Sequence, residues 1–321
     1  MRGAEMTITV DAVVIGRNEG ARLVACLQSL RGQVRRVVYV DSGSTDRSVV
    51  VARAAGADVV ALDLRQPFTA ARARNAGLML SAEAPPDFIQ FVDGDCVLDP
   101  QWISTALRAF DARPGAVVVC GRRRERFPEA SVYNRMADRE WNTPIGEAKA
   151  CGGDALMRFD AVLAVGGYRD DLIAGEEPDL CLRLRRAGGT IWRIDAEMTL
   201  HDAALLRFGQ WWKRVVRSGH AFAEGADLHG AGLERHWVAE SHRALIWGLA
   251  GPLAVIWLGL IHPLGWASAL VYPAQVARLA RHEGWAWGGL TVIGRFAEAR
   301  GALGYHLARI LGRRRRLIEY K

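Results

Sequence analysis

Asp93 and Asp95, separated only by Gly94, end the apolar run Phe88-Ile89-Gln90-Phe91-Val92. Such a run reads as a buried strand. Side chains alternate along a strand, so these two carboxylates share a side if the chain stays extended. Gly94 lets a ligand approach the backbone or lets the strand bend. Oxygen ligands at this place suit a hard divalent cation, Mg²⁺ or Mn²⁺, with phosphate and water completing the shell. The competing reading is a plain Asp-Gly turn. Asn18, Glu19 and Asp41 also follow apolar runs, so the polar groups gather where strands end and are mostly acidic. Acidic groups repel a phosphate ligand unless a cation stands between them.

The elements that must position these groups alternate in type. Strands are expected at 7–15, 36–40, 58–62, 88–92, 116–120 and 191–194, and helices at 21–30, 47–55, 70–81, 101–111 and 178–187. That alternation predicts an open α/β sheet, mainly parallel, whose ligands sit at the carboxyl ends of the strands. No Gly-x-Gly-x-x-Gly follows the first strand, and no Gly-x-x-x-x-Gly-Lys-[Ser/Thr] occurs. The dinucleotide and P-loop readings thus lose their phosphate cradle, and the phosphate work falls to a cation. Arg122-Arg123-Arg124-Glu125-Arg126 is expected to leave a strand end, either as a solvated face or as a funnel for an anionic substrate.

The 321 residues allow one large domain with an appendage, or two domains. Five scattered cysteines without a Cys-x-x-Cys pair argue against a disulfide framework or a structural zinc, and for a reducing compartment. Residues 1–10 hold no long apolar core, so no signal peptide is expected. Residues 1–205 carry 26 Lys and Arg against 28 Asp and Glu, whereas 206–321 carry 16 against 7 and eight of the eleven tryptophans. Tryptophan beside basic residues and long uncharged runs fits an anionic membrane surface better than nucleic acid. The uncharged stretch 244–261 is just long enough to span a bilayer. Pro252 and Pro263 argue against one straight helix, so two short dipping helices or a hairpin are expected there, with a soluble apolar bundle as the alternative. Gly312-Arg313-Arg314-Arg315-Arg316 would then lie against anionic headgroups. Three regions follow: a catalytic domain over 1–205, an amphipathic interface segment over 206–243 around Gln210-Trp211-Trp212-Lys213-Arg214, and membrane-associating helices over 244–321.

Several motifs in order make the reading specific. Arg17-Asn18-Glu19, Val40-Asp41-Ser42-Gly43-Ser44-Thr45-Asp46, Ala73-Arg74-Asn75-Ala76-Gly77, Val92-Asp93-Gly94-Asp95 and Gly175-Glu176-Glu177-Pro178-Asp179-Leu180 together resemble a family 2 glycosyltransferase of the GT-A fold. The resemblance covers about residues 7–205. It implies a nucleotide-sugar donor, a divalent metal (Mn²⁺ or Mg²⁺) and inversion at the anomeric carbon.

Carried over residue by residue, it puts Asn18, Glu19, Asp41, Arg74 and Asp93 around the nucleotide, and Asp93, Asp95 and His201 around the metal. Helix capping competes for Asn18 and Asp41, and a structural role for His201. Asp154 is a candidate for a sugar hydroxyl, with an Asx-turn as its competitor. Inverting transfer needs one base to take the acceptor hydroxyl's proton. Glu177 is the expected base, with Glu176 at the helix start and Asp179 next in line. The family pattern has Asp where Glu177 stands. The expected enzyme takes a nucleotide-diphosphate sugar, UDP-linked, and glycosylates a lipid-linked sugar or glycolipid at the cytoplasmic face of the bacterial inner membrane. Two alternatives stand beside it: a nucleotidyltransferase on a related sheet, and a non-catalytic membrane scaffold.

Overall fold

Val10, Asp11, Ala12, Val13, Val14 and Ile15 are all buried, as expected of a central strand covered on both faces. They form β1 (Val10–Gly16) in a computed structural model that describes residues 8–313. Thr7, placed in this strand by the sequence, and Arg314, Arg315 and Arg316 of the basic run lie outside the described residues. Asp11 is tolerated inside the sheet because Arg35 grips it with two bonds of 2.9 Å.

The chain continues through α1 (Ala21–Leu30), β2 (Arg36–Asp41), α2 (Ser48–Ala54), β3 (Asp58–Ala61), α3 (Ala70–Ser81) and β4 (Phe88–Asp93). These four strands pair in parallel in the order β3-β2-β1-β4. After β4 come β5 (Cys96–Leu98), α4 (Trp102–Asp111), β6 (Ala116–Glu125), α5 (Val132–Glu140) and β7 (Gly146–Glu147), then β8 (Ala155–Arg158), α6 (Phe159–Ala164), α7 (Glu176–Arg186) and β9 (Thr190–His201). The sheet extends as β4-β8-β6-β9-β5, and β7 also pairs with β9. Here it is mixed. β8 runs antiparallel to both β4 and β6, and β5 antiparallel to β9, whereas β6 and β9 are parallel. The expected parallel sheet therefore holds for its first four strands and gives way to mixed pairing in the remainder.

Two close approaches fix the edge where the acidic groups gather. A Cβ on Gly77 would overlap the Val13 methyl groups, so α3 lies directly on β1. One turn earlier, Arg74 is thereby buried beside the strand ends. A Cβ on Gly121 would come within 2.6 Å of the Ala196 carbonyl oxygen and the Trp102 ring. This lets β6 shift register against β9 and run on as far as Glu125. The arginine run therefore lies within a strand and does not leave its end: Arg122, Arg123 and Arg124 pair in register with Glu197, Thr199 and Leu200.

The described chain divides into two compact units. The first holds the sheet. The second comprises 130–136, 173–175 and everything from Leu205 onward, so the sequence regions 206–243 and 244–321 fold together. Its helices are α8 (Phe208–His229), α9 (Val238–Leu245), α10 (Gly251–Ile261), α11 (Val271–Glu283) and α12 (Trp285–Ile310). Trp211, Val215 and Val216 pack with Ala297 in its core, and the Tyr133 ring stacks on Trp211 at 5.9 Å. A Cβ on Gly219 would strike the Glu298 backbone, and one on Gly301 the Val216 carbonyl, so α8 and α12 cross in backbone contact.

Pro252 does not break the helix before it. A π-helical turn, Ile246–Ala250, joins α9 to α10, with the Gly251 amide bonded to the Ile246 carbonyl five residues back. The wider turn makes room for the proline ring and its missing donor. Val238–Ile261 is thus one helix long and apolar enough to cross a membrane. Pro263 then opens a 3₁₀ segment, Pro263–Leu270, which folds back on α10. Trp257, Leu260 and Leu264 on this hairpin are 63, 76 and 77 % exposed.

Candidate active site

Gly94 and Asp95 form a turn between β4 and β5, with the Gly94 amide tied to the Ile15 carbonyl at 2.8 Å. β5 pairs with the end of β9, which sets Cys96 opposite His201. The His201 Nε2 comes 3.2 Å from Asp95 Oδ1, and the Trp141 ring meets the imidazole edge-on at 4.8 Å. Ligand atoms of Asp93, Asp95, Cys96 and His201 all lie within 4.8 Å of one another. The sequence expected Asp93 and Asp95 to share a side of one extended strand. They meet instead across a turn that interrupts it.

Asp93 is held between two guanidinium groups. Arg74 donates to its Oδ1 and Arg123 to its Oδ2, each at 2.9 Å. Burial pushes the Asp93 pKa up, but Arg74 and Arg123 outweigh it and hold the carboxyl below its ordinary value. Arg74 also donates to Glu176 at 2.9 Å, which links β4 to the start of α7. Asp154 is fully buried and accepts from the Asp93 amide at 3.1 Å and the Thr199 hydroxyl at 2.9 Å, with the Arg123 Nε 3.2 Å away. It braces three strands from within. That is neither the sugar contact nor the Asx-turn that its sequence context offered.

Glu177 lies in the first turn of α7 and is buried. Its Oε1 accepts from the Cys151 amide at 2.7 Å, the Cys181 thiol at 2.9 Å and the Cys151 thiol at 3.1 Å. Burial raises its pKa more than these donors lower it. Asp179 pairs with Arg183 one turn on, at 2.8 Å.

At the ends of β1 and β2, polar residues brace two loops. Asn18 sits at φ 56°, a conformation asparagine tolerates. Its Oδ1 accepts from the Thr45 amide at 2.7 Å, while Asp41 Oδ2 accepts from the amides of Gly43 and Ser44 at 3.0 and 2.9 Å. Neither caps α1 or α2, whose N-caps are Gly20 and Arg47. Glu19 pairs with Arg22 at 2.8 Å.

The structure thus brings Arg74, Asp93, Asp95, Glu176 and His201 into one network, joined by Arg123, which the sequence offered only as part of a basic run, and by Thr199 and Trp141, to which it gave no role. The signal for Arg123 was present. The run from Ala116 passes into the arginines with no turn former between, apart from Gly121.

The mixed α/β sheet, with its acidic cluster at the strand ends, has the GT-A fold found in glycosyltransferases. Residues 11–163, which lie within the first unit apart from 130–136, match the sequence profile of glycosyl transferase family 2. The chain is 27 % identical over 212 residues to the succinoglycan biosynthesis protein ExoA of Rhizobium meliloti (strain 1021), covering 61 % of this chain and 64 % of that one. It is 27 % identical over 236 residues to the pre-mycofactocin glycosyltransferase of Mycobacterium tuberculosis (strain ATCC 25618 / H37Rv), covering 68 % and 48 %. The matches thus span between about half and two thirds of these relatives' lengths. Among solved structures, the mannosyltransferase PcManGT of Pyrobaculum calidifontis, in complex with GDP-Man and Mn²⁺, superposes with a TM-score of 0.64 at 19 % identity, over 92 % of this chain and 86 % of that one.

Proposed function

We propose that this chain transfers a sugar from a nucleotide-diphosphate donor, a UDP-linked sugar, to a hydroxyl of a lipid-linked sugar or glycolipid, with inversion, at the cytoplasmic face of the bacterial inner membrane. The observation that carries the reading is the convergence of Asp93, Asp95 and His201 at the strand ends. Carboxylate oxygens with an imidazole fit Mn²⁺, and Mg²⁺ when oxygen dominates. Asp95 and His201, with Asp93 beside them, would hold the cation, which when bound offsets charge on the departing diphosphate. Asn18, Glu19, Asp41 and Arg74 line the nucleotide side. Glu177 is the base: it accepts the acceptor hydroxyl's proton as that oxygen attacks the anomeric carbon.

The acceptor class draws support from the second unit. The hairpin exposes Trp257, Leu260 and Leu264 together, and neighbouring exposed apolar side chains of this size mark an interaction or membrane surface. Beside α9 and the π turn, Arg243, Arg278, Arg295, Trp247 and Tyr272 line a pocket of about 190 Å³. Guanidinium groups there suit the phosphate of a lipid carrier. The name of ExoA refers to succinoglycan biosynthesis. PcManGT, with GDP-Man, makes a guanine nucleotide the competing donor.

The test is a panel of UDP- and GDP-sugars given to the purified full chain with and without Mn²⁺, with phosphorylated and neutral polyprenyl glycosides as acceptors. Cation-dependent release of UDP that rises with a lipid-phosphate acceptor is the expected result. Transfer of the nucleoside monophosphate unit with release of sugar 1-phosphate in its place would identify a nucleotidyltransferase, and no turnover of any donor a scaffold.

A further inference from the structure

The sequence holds no Cys-x-x-Cys pair, yet the fold brings Cys151 and Cys181, thirty residues apart, to a sulfur–sulfur distance of 3.6 Å. Both thiols point at the same oxygen, Oε1 of Glu177. We propose that Cys151, Cys181 and Glu177 form a binding site for a thiophilic divalent cation, Zn²⁺ or Cd²⁺, and that filling it takes the Glu177 carboxylate away from the reaction. The inhibitory half of this proposal rests on Glu177 being the base; the site itself does not.

The geometry is close to what such a cation requires. With zinc–sulfur bonds of about 2.3 Å and a tetrahedral shell, two sulfurs sit roughly 3.8 Å apart, and a sulfur and a carboxylate oxygen roughly 3.5 Å apart. The observed sulfur–oxygen distances are 2.9 and 3.1 Å. The ligands need only spread by about half an ångström to admit the ion. Cys181 and Glu177 are fixed one turn apart on α7. Cys151 precedes Gly152, which has a φ of 83° and open space around its Cα, outside any helix or strand. Cys181 and Glu177 are buried while Cys151 is partly exposed, so the cation can approach from solvent.

The chemistry also separates this site from the acidic cluster. Burial pushes the Cys181 thiol up to about 11 and the Cys151 thiol well above its ordinary value, so both carry protons before the cation arrives. Binding exchanges those two protons, released to solvent, for one dication held by two thiolates and a carboxylate. Three protein donors leave a fourth tetrahedral position for water. Thiolates select soft ions, whereas the Asp95 and His201 pair suits Mn²⁺ or Mg²⁺. One chain would thus hold two cation sites of different preference.

Cd²⁺ titrated into the reduced full-length protein, with Mg²⁺ in excess, tests the site through the ultraviolet thiolate-to-cadmium absorption. The expected result is a band that saturates at one equivalent. Cys151→Ser and Cys181→Ser should each weaken binding at least about tenfold, with circular dichroism confirming the fold. Asp95→Asn and Cys26→Ser should leave the band in place. A band that never saturates, or one that survives in the Cys151→Ser/Cys181→Ser double variant, overturns the site. The band is read without substrate, so the two halves separate. Tight Cd²⁺ binding with undiminished sugar transfer would overturn the inhibitory half, and with it the role of Glu177, while leaving the site intact.

Discussion

Single atoms decide most of the proposed chemistry. Asp95→Asn removes the negative charge that faces His201 at 3.2 Å and should abolish Mn²⁺-dependent UDP binding. Calorimetric titration with and without Mn²⁺ reads this directly; a folded variant with unchanged metal dependence would falsify the assignment. Glu177→Gln should cut transfer by about 10²–10⁴ at saturating donor while sparing donor affinity. Glu176→Gln removes the negative charge that pairs with Arg74 and should show mainly as weaker donor binding. If the two variants exchange phenotypes, the base is one residue off. A base must be deprotonated to act, and burial holds the Glu177 pKa above its ordinary value. Transfer should therefore fall off on the acid side at a higher pH than an exposed carboxylate would give, and the pH profile of kcat would show it. Most of these residues were legible because a motif names them: Asp93, Asp95 and Glu177 stand in runs whose types and order are distinctive. Arg123 and Asp154 were not, since their roles come from partners 30 and 61 residues away that only the folded sheet supplies.

At the scale of elements, packing without side chains does the positioning. The α8–α12 crossing depends on Gly219 and Gly301, where an added methyl meets backbone atoms that cannot move aside alone. Gly219→Ala should cost about 1–3 kcal/mol through overpacking. Thermal unfolding of the full chain measures it, and an unchanged midpoint would mean the helices are free to part. The sequence announced β1 to β4, β6 and β9 and the helices α1 to α4 and α7, because β-branched runs and helical spacing are local signals, but not the short strands β5 and β7. Two features were not local. β6 runs past Cys120 through the arginines because β9 offers backbone partners for them. The helix through Pro252 survives because the π turn absorbs the proline, a compensation that composition does not announce.

For the whole molecule, the two regions after residue 205 that differ in composition share one core, since Trp211 and Val216 on α8 pack with Ala297 on α12. A deletion from residue 244 onward would strip α8 of that partner, so the membrane reading needs surface changes instead. Replacing Trp257, Leu260 and Leu264 with serine removes exposed apolar area and leaves the core untouched. The variant should float with anionic liposomes far less than the parent chain. Its residual binding should weaken as salt rises, because the basic surplus after residue 205 acts through screened charge. Equal flotation of the two proteins would sink the proposal that this hairpin meets lipid.

The pairing of β5 with β9 has a consequence for how the protein is born. Asp95 leaves the ribosome about a hundred residues before His201, a wait of roughly 5–20 s at ordinary rates of synthesis. In that interval β1 to β4 can already pair, while β6 emerges without β9, its parallel neighbour. The nascent chain therefore carries an open sheet edge and an acidic turn without its imidazole. A pause late in translation would leave that edge strand exposed, so the last strand of the sheet sets the moment at which the proposed cation site closes.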